Sequence, residues 1–163
     1  MSALHVAVLN AFKSQGWTYR EVPGMEVVEC GFDAYHGRVL VHVQSFADAN
    51  FVTIVSNAPL PVPPTHKARV AELLMRANKE LNLGAFEVEW DSGQVMFRLG
   101  NVFPKNRHDE NVIAGLVQNA LGEMDRLVPY LGELIRTKKE MLPLLDVKEL
   151  LAREELLPKV PEE

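Results

Sequence analysis

The chain has 163 residues, of which 47% are hydrophobic, so it is long enough for one globular domain, or one domain with an appendage, that buries a sizeable core. Its formal net charge of −5 argues against a general binder of nucleic-acid backbones, which needs a positive field. A single cysteine, Cys30, excludes an internal disulfide framework, and no apolar run is long enough to span a bilayer.

The first third of the chain predicts a helix followed by three strands. Ser2 is placed to cap a helix that runs to about Ser14, and Gly16 is placed to stop it. Because no basic residues precede the apolar part of this helix, it is a poor signal peptide, and we expect a cytoplasmic protein. Short turns then connect three stretches of alternating or β-branched residues, which predict strands over 26–34, 38–46 and 51–56.

The middle of the chain predicts a crossover, a second helix and a hairpin. The proline-rich segment 57–64 cannot join a sheet interior, so it is an extended connector. Thr65 is placed to cap the helix that follows, and Gly84 to end it. The apolar period then changes from 3.6 to 2, and a turn at 91–93 joins two strands. The apolar faces of these strands are formed by Phe86, Val88 and Trp90, and by Val95, Phe97 and Leu99.

The last part of the sequence is helical. Asp109 is a good cap for a long third helix, which Pro129 should kink or restart. The apolar pattern continues to about Met141, and Asp146 is placed to cap a short last helix. We therefore divide the chain into a main domain, 1–128, and a C-terminal helical extension and tail, 129–163. The element order predicts an α+β fold, with helices packed on one five-stranded antiparallel sheet in the order α-β-β-β-α-β-β-α, followed by the helical extension.

The sequence offers no constellation typical of catalysis. Its five histidines lie on separate predicted elements, so a metal site would have to gather them from across the chain. Cys30 has no basic neighbour in sequence and reads as a buried, inert thiol. The carboxylates of Glu87, Glu89 and Asp91 lie on the polar side of a strand and read as a solvated face. We therefore expect a non-enzymatic protein with no catalytic residue, cofactor or metal.

The central strands carry apolar residues on both predicted faces, and this surplus is the main functional signal. One face packs against helices, so the other must be covered by the C-terminal helices, a second subunit or a client protein. The candidate partner-binding residues on these strands are Leu40, His42, Phe46, Val52 and Ile54.

Several segments resemble the YbjN family of bacterial sensory-transduction-regulator-like proteins. The match is best over 78–88, NKELNLGAFEV, and 93–98, GQVMFR, with Gly16-Trp17-Thr18-Tyr19 and Val52-Thr53-Ile54 as further points of similarity. The resemblance covers about Leu4–Leu131. It implies a type III secretion chaperone-like fold, a small, acidic and usually homodimeric protein, and the holding of an extended client segment on apolar surface. It implies no catalytic residue.

Two hypotheses for the function follow. The first is a non-enzymatic protein-interaction module, chaperone-like or regulatory, that forms a homodimer and binds a protein client or partner. The alternative is a small-molecule-sensing or enzymatic domain whose pocket is not visible in the sequence. We expect neither nucleic acid nor a membrane as partner.

Overall fold

The computed structural model describes residues 1–157, which fold into an antiparallel sheet with helices on one of its faces. The elements in chain order are α1 (Ala3–Gln15), β1 (Arg20–Glu21), β2 (Val27–Ala34), β3 (Gly37–Phe46), β4 (Phe51–Asn57), α2 (Lys67–Asn78), β5 (Ala85–Val88), β6 (Val95–Val102), α3 (Glu110–Arg136) and α4 (Val147–Leu151).

The sheet has six strands in the spatial order β1-β2-β3-β4-β6-β5, and every neighbouring pair is antiparallel. The α+β class is confirmed, but the predicted count of five strands and the predicted element order are wrong. The additional strand is β1, in which Arg20 and Glu21 pair with Glu29 and Val28. Two paired residues are too few to produce a periodic sequence signal, so the sequence predicts no strand here.

The core lies between the sheet and helices α1, α2 and α3. Val28, Val43 and Ile54 lie side by side on β2, β3 and β4, facing the helices, and all are fully buried. Strand β6 continues this surface with Phe97 and Leu99. A sheet that buries one face in this way fixes the register of its strands, because a slip of one residue would expose the whole apolar set.

Helix α1 has the predicted caps. The Ser2 hydroxyl accepts a hydrogen bond from the backbone N–H of His5 at 3.1 Å, and Gly16 takes the left-handed conformation with φ 70°. Ser2 also donates to the Glu26 carboxylate through its hydroxyl at 2.7 Å, which ties the start of α1 to the start of β2. The Phe12 ring then packs edge-on against Trp17, with ring centroids 5.3 Å apart.

Helix α2 begins later and ends earlier than the sequence indicates. Pro64–His66 forms a 3-10 turn, and the Thr65 hydroxyl contacts His66 Nδ1 at 2.9 Å, so Thr65 does not cap α2. The helix ends at Asn78, whose side chain binds the backbone of Phe86: Nδ2 donates to the carbonyl at 3.0 Å and Oδ1 accepts from the N–H at 2.7 Å. Gly84, with φ 76°, lies in the loop that follows.

Helix α3 is continuous from Glu110 to Arg136, so the helix does not restart at Pro129. A proline inside a helix leaves the carbonyl four residues earlier without its donor. That carbonyl belongs to Asp125, and the His36 ring donates to it from Nδ1 at 3.0 Å. The Asp125 side chain accepts the His36 backbone N–H at 2.9 Å. The turn between β2 and β3 therefore supplies the hydrogen bond that Pro129 cannot.

The segment after α3 packs against α2. Its buried residues are Leu142, Val147 and Leu150, and the Asp146 carboxylate caps α4 by accepting from the Glu149 N–H at 3.0 Å, as predicted. The Arg69 guanidinium of α2 donates to the carbonyl of Leu142 at 2.7 Å and to that of Leu145. The segment therefore lies on the helical side of the molecule.

Candidate functional site

Within residues 1–157, helices cover only one face of the sheet; we call the other the open face. Side chains alternate between the two faces along every strand. Leu40 and Phe46 of β3 point outward on the open face and are 44% and 40% exposed, and Val102 of β6 is 67% exposed. Phe46 and Val102 share one row with Phe51 between them, whereas Leu40 lies at the opposite end of β3. Exposed apolar side chains that lie together on a sheet indicate an interaction surface more strongly than scattered ones do.

The strand register orders this face into rows that cross the sheet. One row places Glu29 of β2, His42 of β3, Val55 of β4 and Arg98 of β6 side by side. The row is thus acidic at one end, basic at the other, and mixed in its centre. The neighbouring row in the direction of Leu40 contains Asn57 and Met96 in register with it.

Aromatic side chains form the other end of the open face. Phe46 pairs with Phe51 across β3 and β4, with ring centroids 5.8 Å apart, and Phe51 pairs with Val102 of β6. The Phe51 ring lies over Gly100, where an added Cβ would come within 2.7 Å of the ring. Gly100 therefore lets the ring lie flat against the sheet and keeps this aromatic cluster in place.

A groove of about 440 Å³ lies across the open face between the rows. The loop before β2 contributes one side of it through Met25, which is exposed. The other lining residues include Val22, Gln44, Phe46, Thr53, Val55 and Met96. This mixture of apolar and neutral polar groups is typical of protein interfaces, in which charged residues lie at the rim.

Ion pairs hold the charged ends of the groove. Glu29 pairs with Arg20 of β1, and Arg98 donates to the Glu87 carboxylate of β5 at 2.7 and 3.0 Å. Nε2 of His42 lies 4.0 Å from the Glu29 carboxylate and is buried without a hydrogen-bond partner among residues 1–157. The open face therefore presents compensated charges rather than one strong sign.

The structure places the five sequence-predicted site residues on two different faces. Leu40, His42 and Phe46 lie on the open face. Val52 and Ile54 are fully buried on the covered face, so the structure excludes them from this surface. The sequence shows that each strand has two apolar sides, but the register decides which side of β4 shares a face with Leu40.

Sequence reasoning missed Phe51, Arg98 and Val102 as parts of this surface. Phe51 and Val102 stand near strand ends, and their contribution depends on β4 pairing with β6 rather than with β5. Of the three covers that the sequence left open, the C-terminal helices do not cover the open face, because the C-terminal segment up to residue 157 packs on α2.

A second concave site lies between α2, α3 and the C-terminal segment. This pocket has a volume of about 240 Å³, and its lining residues include Leu81, Phe86, Leu127, Tyr130, Leu151 and Leu157. Arg76 and Arg126 stand at the pocket together with Glu80 and Glu123. It is an apolar pocket with charged groups of both signs beside it.

The titratable side chains of Cys30 and Glu89 make hydrogen bonds that support the fold. Burial raises the pKa of the Cys30 thiol above its ordinary value, and its Sγ donates to the Thr18 carbonyl at 2.9 Å. Glu89, one of the three carboxylates at 87, 89 and 91, accepts a hydrogen bond from the backbone N–H of Ser92 in the turn after β5.

Across residues 1–157, no three His, Cys, Asp or Glu side chains stand close enough together to hold a metal ion. None of the helices in that range is long and apolar enough to cross a membrane.

Solved structures share this fold, among them the following two. The crystal structure of YbjN from E. coli matches with a TM-score of 0.58 and 9% identity, over 78% of this chain and 92% of that one. The crystal structure of the ExsC–ExsE complex matches with a TM-score of 0.54 and 10% identity, over 83% of this chain and 97% of that one. At these identities the likeness shows the fold, and it confirms the expected type III secretion chaperone-like architecture.

No curated protein matches the sequence of the chain. A family model matches residues 6–133, which include all six strands and nearly all of α3. The chain belongs to the YbjN family, described as "putative bacterial sensory transduction regulator".

Proposed function

We propose that this chain is a non-enzymatic protein-interaction module, chaperone-like or regulatory, and that it binds a partner protein through its open face. The observation that carries this proposal is the set of solvent-facing apolar side chains on the open face, Leu40, Phe46 and Val102, of which Phe46 also lines the groove. Their exposure does not stabilise a monomer. Burying them against a partner would contribute about 25 cal/mol per Å² of apolar surface.

The family and fold support a regulatory or chaperone-like role in general terms. The ExsC–ExsE structure is a complex of two proteins, which favours a protein partner for a chain of this fold. We further propose that the protein acts in the bacterial cytoplasm and as a homodimer. The division at residues 128 and 129 also remains a proposal, and any truncation that tests it should end after Arg136, because α3 is continuous across that boundary.

Charged substitutions on the open face test the proposal. L40D/F46D places two carboxylates beside the groove and should abolish capture of a partner from lysate by the immobilised protein. L144D is the matched control, because Leu144 is equally apolar and highly exposed but lies in the C-terminal segment. A captured protein that survives L40D/F46D, or that L144D removes as well, would contradict binding through the open face.

The pocket between α2, α3 and the C-terminal segment supports a second candidate function, the sensing of a small apolar molecule. Its volume suits a ligand below drug size. A ligand that stabilises the fold should raise the melting temperature in proportion to its saturation. The test is a thermal-shift screen of small amphipathic molecules, with L127W as a variant that fills the pocket. A ligand that raises the melting temperature of L127W as much as that of the wild type would bind outside this pocket.

A further inference from the structure

Resting on the second candidate function, the sensing of a small molecule in the pocket between α2, α3 and the C-terminal segment, we propose that the ligand of this pocket is an apolar α-amino acid in its zwitterionic form. The ammonium of the ligand binds Glu123, its carboxylate binds Arg126, and its side chain enters the apolar interior of the pocket.

The interior of the pocket has room for a small apolar side chain. Its volume is about 240 Å³, below the range of about 300–1,000 Å³ that is usual for drug-sized ligands. Leu81, Phe86, Leu127 and Leu151 line it, and Phe86 and Leu127 are themselves buried in the core. An aliphatic or aromatic side chain that enters this pocket removes apolar surface of both molecules from water.

The charged groups at the pocket are balanced in sign. They are Arg76, Glu80, Glu123 and Arg126. An ion of either sign would meet repulsion as well as attraction here, whereas a zwitterion carries a partner for each sign. Arg76 is already engaged, because its Nε donates to the Glu72 carboxylate at 3.0 Å. The two charged groups on α3 are therefore the better candidates for contacts with a ligand.

Glu123 and Arg126 have hydrogen-bonding capacity that the described part of the chain leaves unused. Nη1 of Arg126 lies 3.9 Å from Oε1 of Glu123, which is an ion-pair contact but too long for a hydrogen bond. Within residues 1–157 the Glu123 carboxylate accepts no hydrogen bond and the Arg126 guanidinium donates none. The Glu123 side chain is only 18% exposed, so water compensates its charge incompletely.

This pair matches the head of an α-amino acid. The ammonium and the carboxylate of such a ligand sit on one carbon atom, so its two charges lie close together, as those of Glu123 and Arg126 do. When the ligand lies alongside the pair in the opposite direction, its ammonium donates to the Glu123 carboxylate and its carboxylate accepts from the Arg126 guanidinium. Both contacts are charge-assisted hydrogen bonds, and a planar guanidinium can hold a carboxylate through two parallel bonds.

The position of the pair on α3 also directs the side chain of the ligand. Leu127 follows Arg126 in the sequence and lines the same pocket, so a ligand held by its head at the pair has the apolar interior beside it. Both charged contacts are close to solvent, which limits their strength. For a ligand of about a dozen non-hydrogen atoms we therefore expect a dissociation constant of about 0.1–1 mM.

Matched ligands test the proposal by thermal shift and isothermal titration calorimetry. The probes are phenylalanine, leucine and methionine, together with their N-acetyl derivatives, which lack the ammonium, and their amides, which lack the carboxylate. Glycine is the control that lacks the apolar body. At about pH 6.5 the amino groups of the amino acids and of the amides are charged.

At least one of the three amino acids, at about 10 mM, should raise the melting temperature by about 3–10 °C. Calorimetry should find glycine and both derivatives of that amino acid bound at least about threefold more weakly.

Variants of the chain test the two contacts separately. E123Q should remove the advantage of the amino acid over its N-acetyl derivative, and R126Q should remove its advantage over the amide. L127W fills the pocket and should abolish binding. E140Q and R107Q remove the same charges at exposed positions outside the pocket and should bind like the wild type. The melting temperature of each variant without ligand first establishes that it is folded.

If none of the three amino acids binds, or if the derivatives bind as tightly as the amino acid itself, the zwitterionic ligand is overturned. A preference for the amino acid that persists in E123Q and R126Q overturns the two contacts. If another small molecule stabilises the wild type but not L127W, the second candidate function stands and only the class of ligand fails. If neither the amino acids nor the wider screen of amphipathic molecules shifts the melting temperature, that function fails as well.

Discussion

At the level of single residues, two side chains complete the backbone hydrogen bonding of other elements. His36 supplies the donor that Pro129 removes from α3, and Asn78 binds both backbone groups of Phe86 on the outer edge of β5. The sequence shows the proline and the asparagine but not these partners. His36 lies 89 residues from Asp125, so no local rule connects them.

His36→Ala should destabilise the protein by about 1–3 kcal/mol, because it leaves the buried carbonyl of Asp125 without a donor. Pro129→Ala returns a backbone N–H to that carbonyl, so the double variant H36A/P129A should lose less than the sum of the single changes. Urea denaturation of the four proteins gives the coupling free energy, which we expect at about 0.5–3 kcal/mol. Additive effects would show that His36 does not replace the proline's missing donor.

Asn78→Ala should cost about 1–3 kcal/mol, since both the N–H and the carbonyl of the buried Phe86 lose their partner. It also opens the outer edge of β5 to pairing with other chains, so aggregation on storage should increase. N78D keeps an acceptor for the N–H but loses the donor to the carbonyl and should lose stability as well. If N78D matched the wild type in urea denaturation, the bond to the carbonyl would have no energetic role.

At the level of elements, α2 holds the C-terminal segment through a small charge network. Glu72 binds Arg69 at 2.5 Å and Arg76 at 3.0 Å, and Arg69 in turn donates to the carbonyls of Leu142 and Leu145. The sequence predicted α2 and the last helix individually. It gave no sign that they pack together, because the contacts depend on the path of α3 between them.

This network makes stability depend on pH. Partial burial raises the pKa of the Glu72 carboxyl, but hydrogen bonds from Arg76 and Arg69 outweigh it and hold the pKa below the ordinary value of 4.5. A carboxyl whose pKa is lower in the folded chain stabilises the fold above about pH 4.5, and this contribution is lost as the pH falls through the folded-state pKa. The urea midpoint should therefore decline more steeply below pH 4.5 in the wild type than in E72Q. Parallel profiles would contradict this role for Glu72.

At the level of the whole molecule, the C-terminal segment is part of the globule rather than a cover for the open face. A chain truncated after Arg136 loses three buried apolar side chains, each worth about 1.5–3 kcal/mol, and should unfold at clearly lower urea concentration. R69A in the full chain should lose less, because it removes only the hydrogen bonds. Equal stability of the truncated and full-length chains would make residues after 136 an independent appendage.

The fold class, five of the six strands and most caps could be predicted, because each depends on the period or chemistry of a short stretch. Ser2, Gly16, Asp109 and Asp146 all act at helix ends as the sequence indicates. The candidate surface was only partly predictable, since Val52 and Leu40 lie on opposite faces for reasons of strand pairing. Pairing is a long-range property, and alternation along one strand fixes two faces without saying which is covered.

The pairing of β4 with β6 also has a consequence for how the chain folds. Strands β1 to β4 form a meander of neighbours in sequence, whereas β6 joins it only after a loop from Asn57 to Val95 closes around α2 and β5. Closing such a loop costs entropy before its contacts form, so local hairpins are expected to precede it. Substitutions such as V43A in the meander should slow folding, whereas F97A in β6 should mainly speed unfolding, and stopped-flow kinetics can separate the two.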